Sequence, residues 1–144
     1  MEKFSLSQSL EDYLEEIYLE VMHHGFANVT AISEALNVKK ASVTGALNQL
    51  AEKKLINYSP YSKITITSAG EKIAKDILKK HETITEFFTQ ILCLSEKEAA
   101  SNACRMEHIV SDELFRRLTK FAEFIAEYSA SHPDFKNKIE KEFE

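Results

Sequence analysis

Cys104, Glu107 and His108 form a C-x-x-E-H group that spaces a thiolate, a carboxylate and an imidazole at i, i+3 and i+4. On a helix that spacing delivers all three to one face, and the donor types together suit a divalent transition metal. Read alone, the same residues also describe a buried thiol beside surface polar groups. Asp12 and Glu15, at i and i+3, put two more carboxylates on one face of another segment. Glu11 and Glu16 flank them, so a solvated helix start fits those acids as well. His81 stands in an otherwise apolar and basic stretch, where a histidine is more often a partnered, half-buried residue than a ligand.

A second kind of chemistry is carried by charge. The chain of 144 residues has a net charge of −5, which argues against a polyanion binder over its whole length. The balance is nevertheless uneven. Between Val38 and Lys63, five lysines (Lys39, Lys40, Lys53, Lys54, Lys63) face one acid, Glu52, so this stretch is +4 and the remainder −9. A basic stretch is often only a solvated face, but this one coincides with a DNA-reading pattern.

The elements that must hold these residues follow from apolar spacing. From Ser7 to Met22, Leu10, Leu14, Ile17, Tyr18 and Val21 make a helical stripe, with Ser7 or Ser9 as N-cap and Gly25 as the stop. Asn28 to Leu36 reads as a short helix and Asn37-Val38 as a turn. Lys40 or Ala41 to Lys53 reads as a second helix that turns Val43, Ala46, Leu47 and Leu50 inward, which completes a helix-turn-helix. Leu55 to Tyr58 and Ile64 to Thr67 flank a Ser-Pro-Tyr-Ser turn, so a two-stranded wing is predicted. A recognition helix presents small or polar residues and phosphate-binding lysines at its N-terminal end; Lys39, Lys40, Ala41, Ser42 and Thr44 meet that need, with Lys63 on the wing beside Tyr58 and Tyr61.

Beyond the wing the pattern is helical throughout. A long helix is predicted from Ser68, as its cap, to about Cys93. Ser95 and Glu98 make a capping box for one reaching about His108, and Ser111 opens a last helix to about Tyr128. His132-Pro133 ends it, and the tail beyond is expected to fray. The fold class is mainly α: an N-terminal winged helix-turn-helix with a two-stranded wing, then a C-terminal helical dimerisation domain. The seam falls inside the long helix near Lys79 to His81, which gives 1–70 as DNA-binding domain and 71–144 as metal-binding and dimerisation domain, the helix being shared. The second part has a limited core of its own, so Phe115, Phe121 and Phe124 are expected to pack against a second copy.

Taken together, these residues resemble the diphtheria-toxin-repressor family of metal-dependent regulators in its short form, typified by the manganese-transport regulators. The resemblance runs from about Leu6 to about Tyr128. It rests on the Leu10-Glu-Asp-Tyr-Leu-Glu-Glu-Ile-Tyr18 opening, Ser42-Val-Thr44, Thr65-Ile-Thr-Ser-Ala-Gly70, His81 and Cys104-Arg-Met-Glu-His108. It implies Asp12, Glu15, His81, Cys104, Glu107 and His108 as metal ligands and the Ala41 to Thr44 region as the base-reading turn. It also implies a homodimeric repressor of iron- or manganese-uptake genes on inverted-repeat duplex DNA, activated by one or two Fe2+ or Mn2+ per subunit, with Co2+, Ni2+ or Zn2+ as substitutes in vitro.

The site is a hybrid by the same resemblance. Cys104 stands where the manganese branch carries a bridging glutamate, and Asp12 where the iron branch carries methionine. Thr85 and Ala100 occupy positions at which the iron branch's ancillary site needs glutamate and histidine, so a separate ancillary site is not expected. Thiolate moves preference toward Fe2+, while the oxygen donors keep Mn2+ acceptable.

Other classes fit less well. Two cysteines are too few for a disulfide scaffold, and no apolar run is long enough to span a membrane, so a cytoplasmic protein with no membrane partner is expected. Cys93 reads as core, His23 and His24 as exposed helix-end residues. A metalloenzyme is disfavoured, since no second Glu-x-x-His motif completes a di-iron bundle. The main alternative is a winged-helix regulator that responds to a non-metal ligand.

Overall fold

A computed structural model describes residues 5–144 and divides the chain into two compact units, one ending at Leu78 and the other running Lys79–Glu144.

In the first unit α1 (Gln8–His24), α2 (Val29–Leu36) and α3 (Lys40–Glu52) pack around one core. Each boundary has a local chemical cause. Ser7 caps α1 by accepting from the Leu10 amide at 3.3 Å, and Gly25 ends it in the left-handed region at φ 81°. Asn28 caps α2 through its Oδ1, which accepts from the Ala31 amide at 2.8 Å, and Asn37 closes it at φ 52°. The turn into α3 is tied by Ser33, whose hydroxyl donates to the Val38 carbonyl at 2.6 Å. Val43, Ala46, Leu47 and Leu50 are buried as their spacing predicts, against Leu14, Ile17 and Ile32.

The wing pairs β1 (Ile56–Asn57) with β2 (Thr65–Ile66) in antiparallel register, Ile56 opposite Ile66 and Asn57 opposite Thr65. Ala27 adds a rung, exchanging both backbone hydrogen bonds with Ile64 at 2.8 and 3.1 Å. The helix after the wing, α4 (Ser68–Gln90), is capped by Thr67 rather than Ser68. The Thr67 hydroxyl accepts from the Gly70 amide at 3.1 Å while donating to the carbonyls of Lys54 and Leu55.

The C-terminal part of α4, α5 (Glu96–Met106), α6 (Asp112–Ser131) and α7 (Asp134–Glu142) form the second unit. Ser95 caps α5 as expected, but only half of the capping box forms: Glu98 turns its carboxylate to Asn102 at 3.0 Å. The long helix stops at Gln90, and Cys93, expected in the core, lies half-buried at φ 57°. The tail is ordered into α7 instead of fraying. Tyr128 stacks on His132 at 4.0 Å and meets the Phe135 ring edge-on at 5.0 Å, an apolar anchor beyond Pro133. A small core remains for this unit, centred on Ile84, Ala103 and Val110.

Candidate metal centre and nucleic-acid interface

Of the six predicted ligands, the second unit draws three together, His81 by a hydrogen bond to Glu107 and His108 by a close charge contact with it. Glu107 follows the last turn of α5 as its C-cap, with its amide donating to the Ala103 carbonyl. Its side chain is 1% exposed, and among the described residues it is the one buried charged or polar residue. One carboxylate oxygen lies 2.6 Å from His81 Nδ1, delivered by α4, and the other 3.4 Å from His108 Nε2, whose side chain is also 1% exposed. Burial opposes a carboxylate's charge, and the negative end of a helix opposes it again. Cationic compensation is what this position calls for.

Whether the donors suit a metal can be judged from their separations. Two donors bound tetrahedrally at about 2.1 Å from one ion lie roughly 3.4 Å apart. The Glu107–His108 separation matches that value, whereas the His81–Glu107 contact is a direct hydrogen bond that must lengthen to admit an ion. Accordingly, among the described residues no three His, Cys, Asp or Glu side chains converge in ligand geometry. Donor chemistry and burial fit a divalent ion; the geometry shown is one hydrogen bond, from His81 to Glu107, beside a longer contact to His108. Cys104 sits on the exposed side of α5, one turn before His108. Asp12 and Glu15, in the other unit, are half-buried on α1 beside the buried Tyr13 and Leu14. The hydroxyl of Thr85, one turn along α4 from His81, is buried with no hydrogen-bond partner.

The predicted DNA-contacting residues all lie in the first unit, five at the start of α3 and Lys63 in the wing. Lys39, Lys40, Ala41 and Ser42 are exposed at the start of α3. Thr44 is half-buried, and its hydroxyl is turned back to donate to the Lys40 carbonyl at 3.1 Å. Lys63 is exposed, with its ammonium 4.4 Å from the centre of the Phe26 ring, a cation–π contact that steadies a flexible side chain. Tyr61 is fully exposed in the wing turn. Three further residues of α3, Gly45, Asn48 and Gln49, share the exposed face. The first turn of α3 alone does not single them out, although i+3 from Ser42 leads to Gly45, i+4 from Thr44 to Asn48, and i+4 from Gly45 to Gln49.

Residues 5–64 match the family model of the iron dependent repressor, N-terminal DNA binding domain, and residues 67–136 that of the iron dependent repressor, metal binding and dimerisation domain. The chain is 43% identical over 119 residues to an uncharacterized HTH-type transcriptional regulator of Methanocaldococcus jannaschii, covering 82% of this chain and 95% of that protein. It is 32% identical over 136 residues to the HTH-type transcriptional regulator MntR of Bacillus subtilis, covering 94% of each. Among solved structures, that of the manganese regulator SloR is similar with a TM-score of 0.71 at 27% identity over 80% of this chain. The chain spans about half the length of that structure, 54% of it.

Proposed function

The chain belongs to the iron-dependent repressor family, the diphtheria-toxin-repressor and MntR group of metal-dependent transcriptional regulators, and from that premise we propose that it is a homodimeric repressor of iron- or manganese-uptake genes, switched on for DNA binding by Fe2+ or Mn2+. The observation that carries this reading is the buried Glu107 carboxylate between His81 and His108, inside the stretch that matches the metal-binding domain.

In this reading Asp12, Glu15, His81, Cys104, Glu107 and His108 supply the ligands. Asp12 and Glu15 belong to the first unit and the other four to the second, so an ion held by both sets couples DNA binding to dimerisation. Without metal the carboxylates repel one another. With it the two winged helices of a dimer are fixed so that their recognition helices meet successive major grooves, about 34 Å apart along B-DNA. An inverted-repeat operator follows from the two-fold symmetry. Lys39, Lys40 and Lys63 contact phosphates, and Ala41, Ser42 and Thr44 meet base edges. Residues 1–70 serve DNA binding and 71–144 metal binding and dimerisation, with α4 shared. The Cys104 thiolate favours Fe2+, while the oxygen donors keep Mn2+ acceptable; Zn2+ binds more tightly in vitro by the Irving–Williams order.

Fluorescence anisotropy on promoter DNA, titrated anaerobically with Fe2+ and Mn2+ and reversed with chelator, tests the switch. Metal-dependent, reversible binding is expected, and it weakens in acid because the ligands must lose protons. Equal binding with and without chelator would overturn the metal switch and leave a winged-helix regulator with another effector.

A further inference from the structure

Glycine is scarce in this chain, and the fold accounts for two of its three glycines. Gly25 ends α1 at φ 81°, a conformation that L side chains rarely adopt, and at Gly70 an added β-carbon would collide with the Leu55 carbonyl. Gly45 is different. It lies mid-way along α3, with no positive φ, and an added β-carbon there would meet nothing within 4 Å. Glycine in a helix interior is the poorest choice after proline, because the unfolded backbone loses the most freedom on folding. Among the described residues of the first unit, no packing contact calls for it.

Since the described fold does not require a glycine here, the side that Gly45 faces is where a reason for it is sought. Gly45 is exposed, as are Ala41, Ser42, Asn48 and Gln49, its i−4, i−3, i+3 and i+4 neighbours, while Val43, Ala46, Leu47 and Leu50 fill the core on the opposite side. This is the outward face of the second helix of the helix-turn-helix, within the matched DNA-binding domain. We propose that Gly45 is the point of nearest approach between α3 and operator DNA, and that the missing side chain lets the helix backbone seat against the groove. The inference rests on the repressor reading and deepens it. A β-carbon here displaces α3 outward and lengthens the contacts of Ser42, Asn48 and Gln49 together. Sequence-selective binding suffers more than the lysine-to-phosphate attraction, which tolerates small displacements. Stability and recognition are thus opposed at one residue.

The test uses the full-length protein and duplexes that it enriches from a random-sequence pool with Mn2+ or, anaerobically, Fe2+. Gly45→Ala is expected to melt about 2–4 °C higher and to bind metal as the parent does. Its affinity for the enriched duplex should fall roughly tenfold or more, while its affinity for random duplex stays within about twofold. Gly45→Gln, with a longer side chain, loses more of the selective binding. Gly45→Ala binding the enriched duplex as tightly as the parent overturns the inference alone, as does a variant that melts lower, since the fold itself then needs the glycine. A parent that enriches no duplex overturns the repressor reading and the inference with it.

Discussion

The buried carboxylate of Glu107 and the exposed one of Glu113 show how differently one functional group behaves in two settings. At Glu107 the charge is held where burial and the helix end both disfavour it, which is the setting the proposed metal reading relies on. Glu107→Leu is expected to lower metal-free stability by about 1–3 kcal/mol, because it removes the carboxylate to which His81 Nδ1 is bonded. Metal affinity should fall at least about a hundredfold, the upper end of what loss of a merely supporting residue brings. Chelator competition with Mn2+ alongside thermal melting measures both; a variant that keeps its metal affinity removes Glu107 from the ligand set. Glu113 sits in the first turn of α6, where hydrogen bonds from Arg116 and then Arg117 hold its carboxyl below the ordinary 4.5. Its folded-state pKa is depressed, so its contribution is present above the unfolded value and is lost as pH falls from about 4.5 through the folded one. Glu113→Gln should lower the melting temperature at pH 7, by less in high salt because the group is fully exposed. The difference from the parent should vanish in strong acid.

At the scale of elements, the first unit was legible because its caps and apolar spacing agree. Ser7, Gly25 and Asn28 mark their helices, and Val43, Ala46, Leu47 and Leu50 all turned inward as their period required. What stayed hidden depended on tertiary partners. Ala27 has no strand signature and becomes a rung only because Ile64 is brought beside it. Thr67 rather than Ser68 caps α4 because its hydroxyl also reaches back to β1's approach at Lys54 and Leu55. α7 escaped notice because its anchor, the stacking of Tyr128 on His132, spans a proline. For the candidate metal centre, the spacing of Cys104, Glu107 and His108 pointed to the stretch where Glu107 and His108 meet, but the bond from Glu107 to His81 depends on α4 and is not written in that spacing. Gly70 carries the junction between wing and α4, since the helix's first turn crosses the Leu55 carbonyl at a distance only glycine permits. Gly70→Ala should cost about 1–3 kcal/mol through overpacking against backbone that cannot rotate away. Chemical denaturation would show this as a lower midpoint with an unchanged slope; an unchanged midpoint would mean the junction yields freely.

For the whole molecule, the decisive element is α6, twenty residues long with none of them buried. Leu114, Phe121 and Tyr128 recur at seven-residue intervals and are 49%, 48% and 39% exposed, with Phe124 at 59% beside them. An apolar stripe of that length on a helix is normally covered, and the second unit's own core is small. The matched metal-binding and dimerisation domain includes this helix, which makes a second copy the fitting cover. Leu114 and Phe124 lie on the stripe but outside that core, so the double substitution Leu114→Glu and Phe124→Glu should leave the helical content and the first unit's core intact. Like charges brought together across a two-fold interface cost several kcal/mol, so sedimentation should change from dimer to monomer at micromolar concentration. Operator affinity should then fall steeply, because each winged helix must find its half-site alone, whereas phosphate attraction to random duplex persists. A double variant that sediments as a dimer would place the contact between copies on some other face, and the stripe on α6 would then need a different cover.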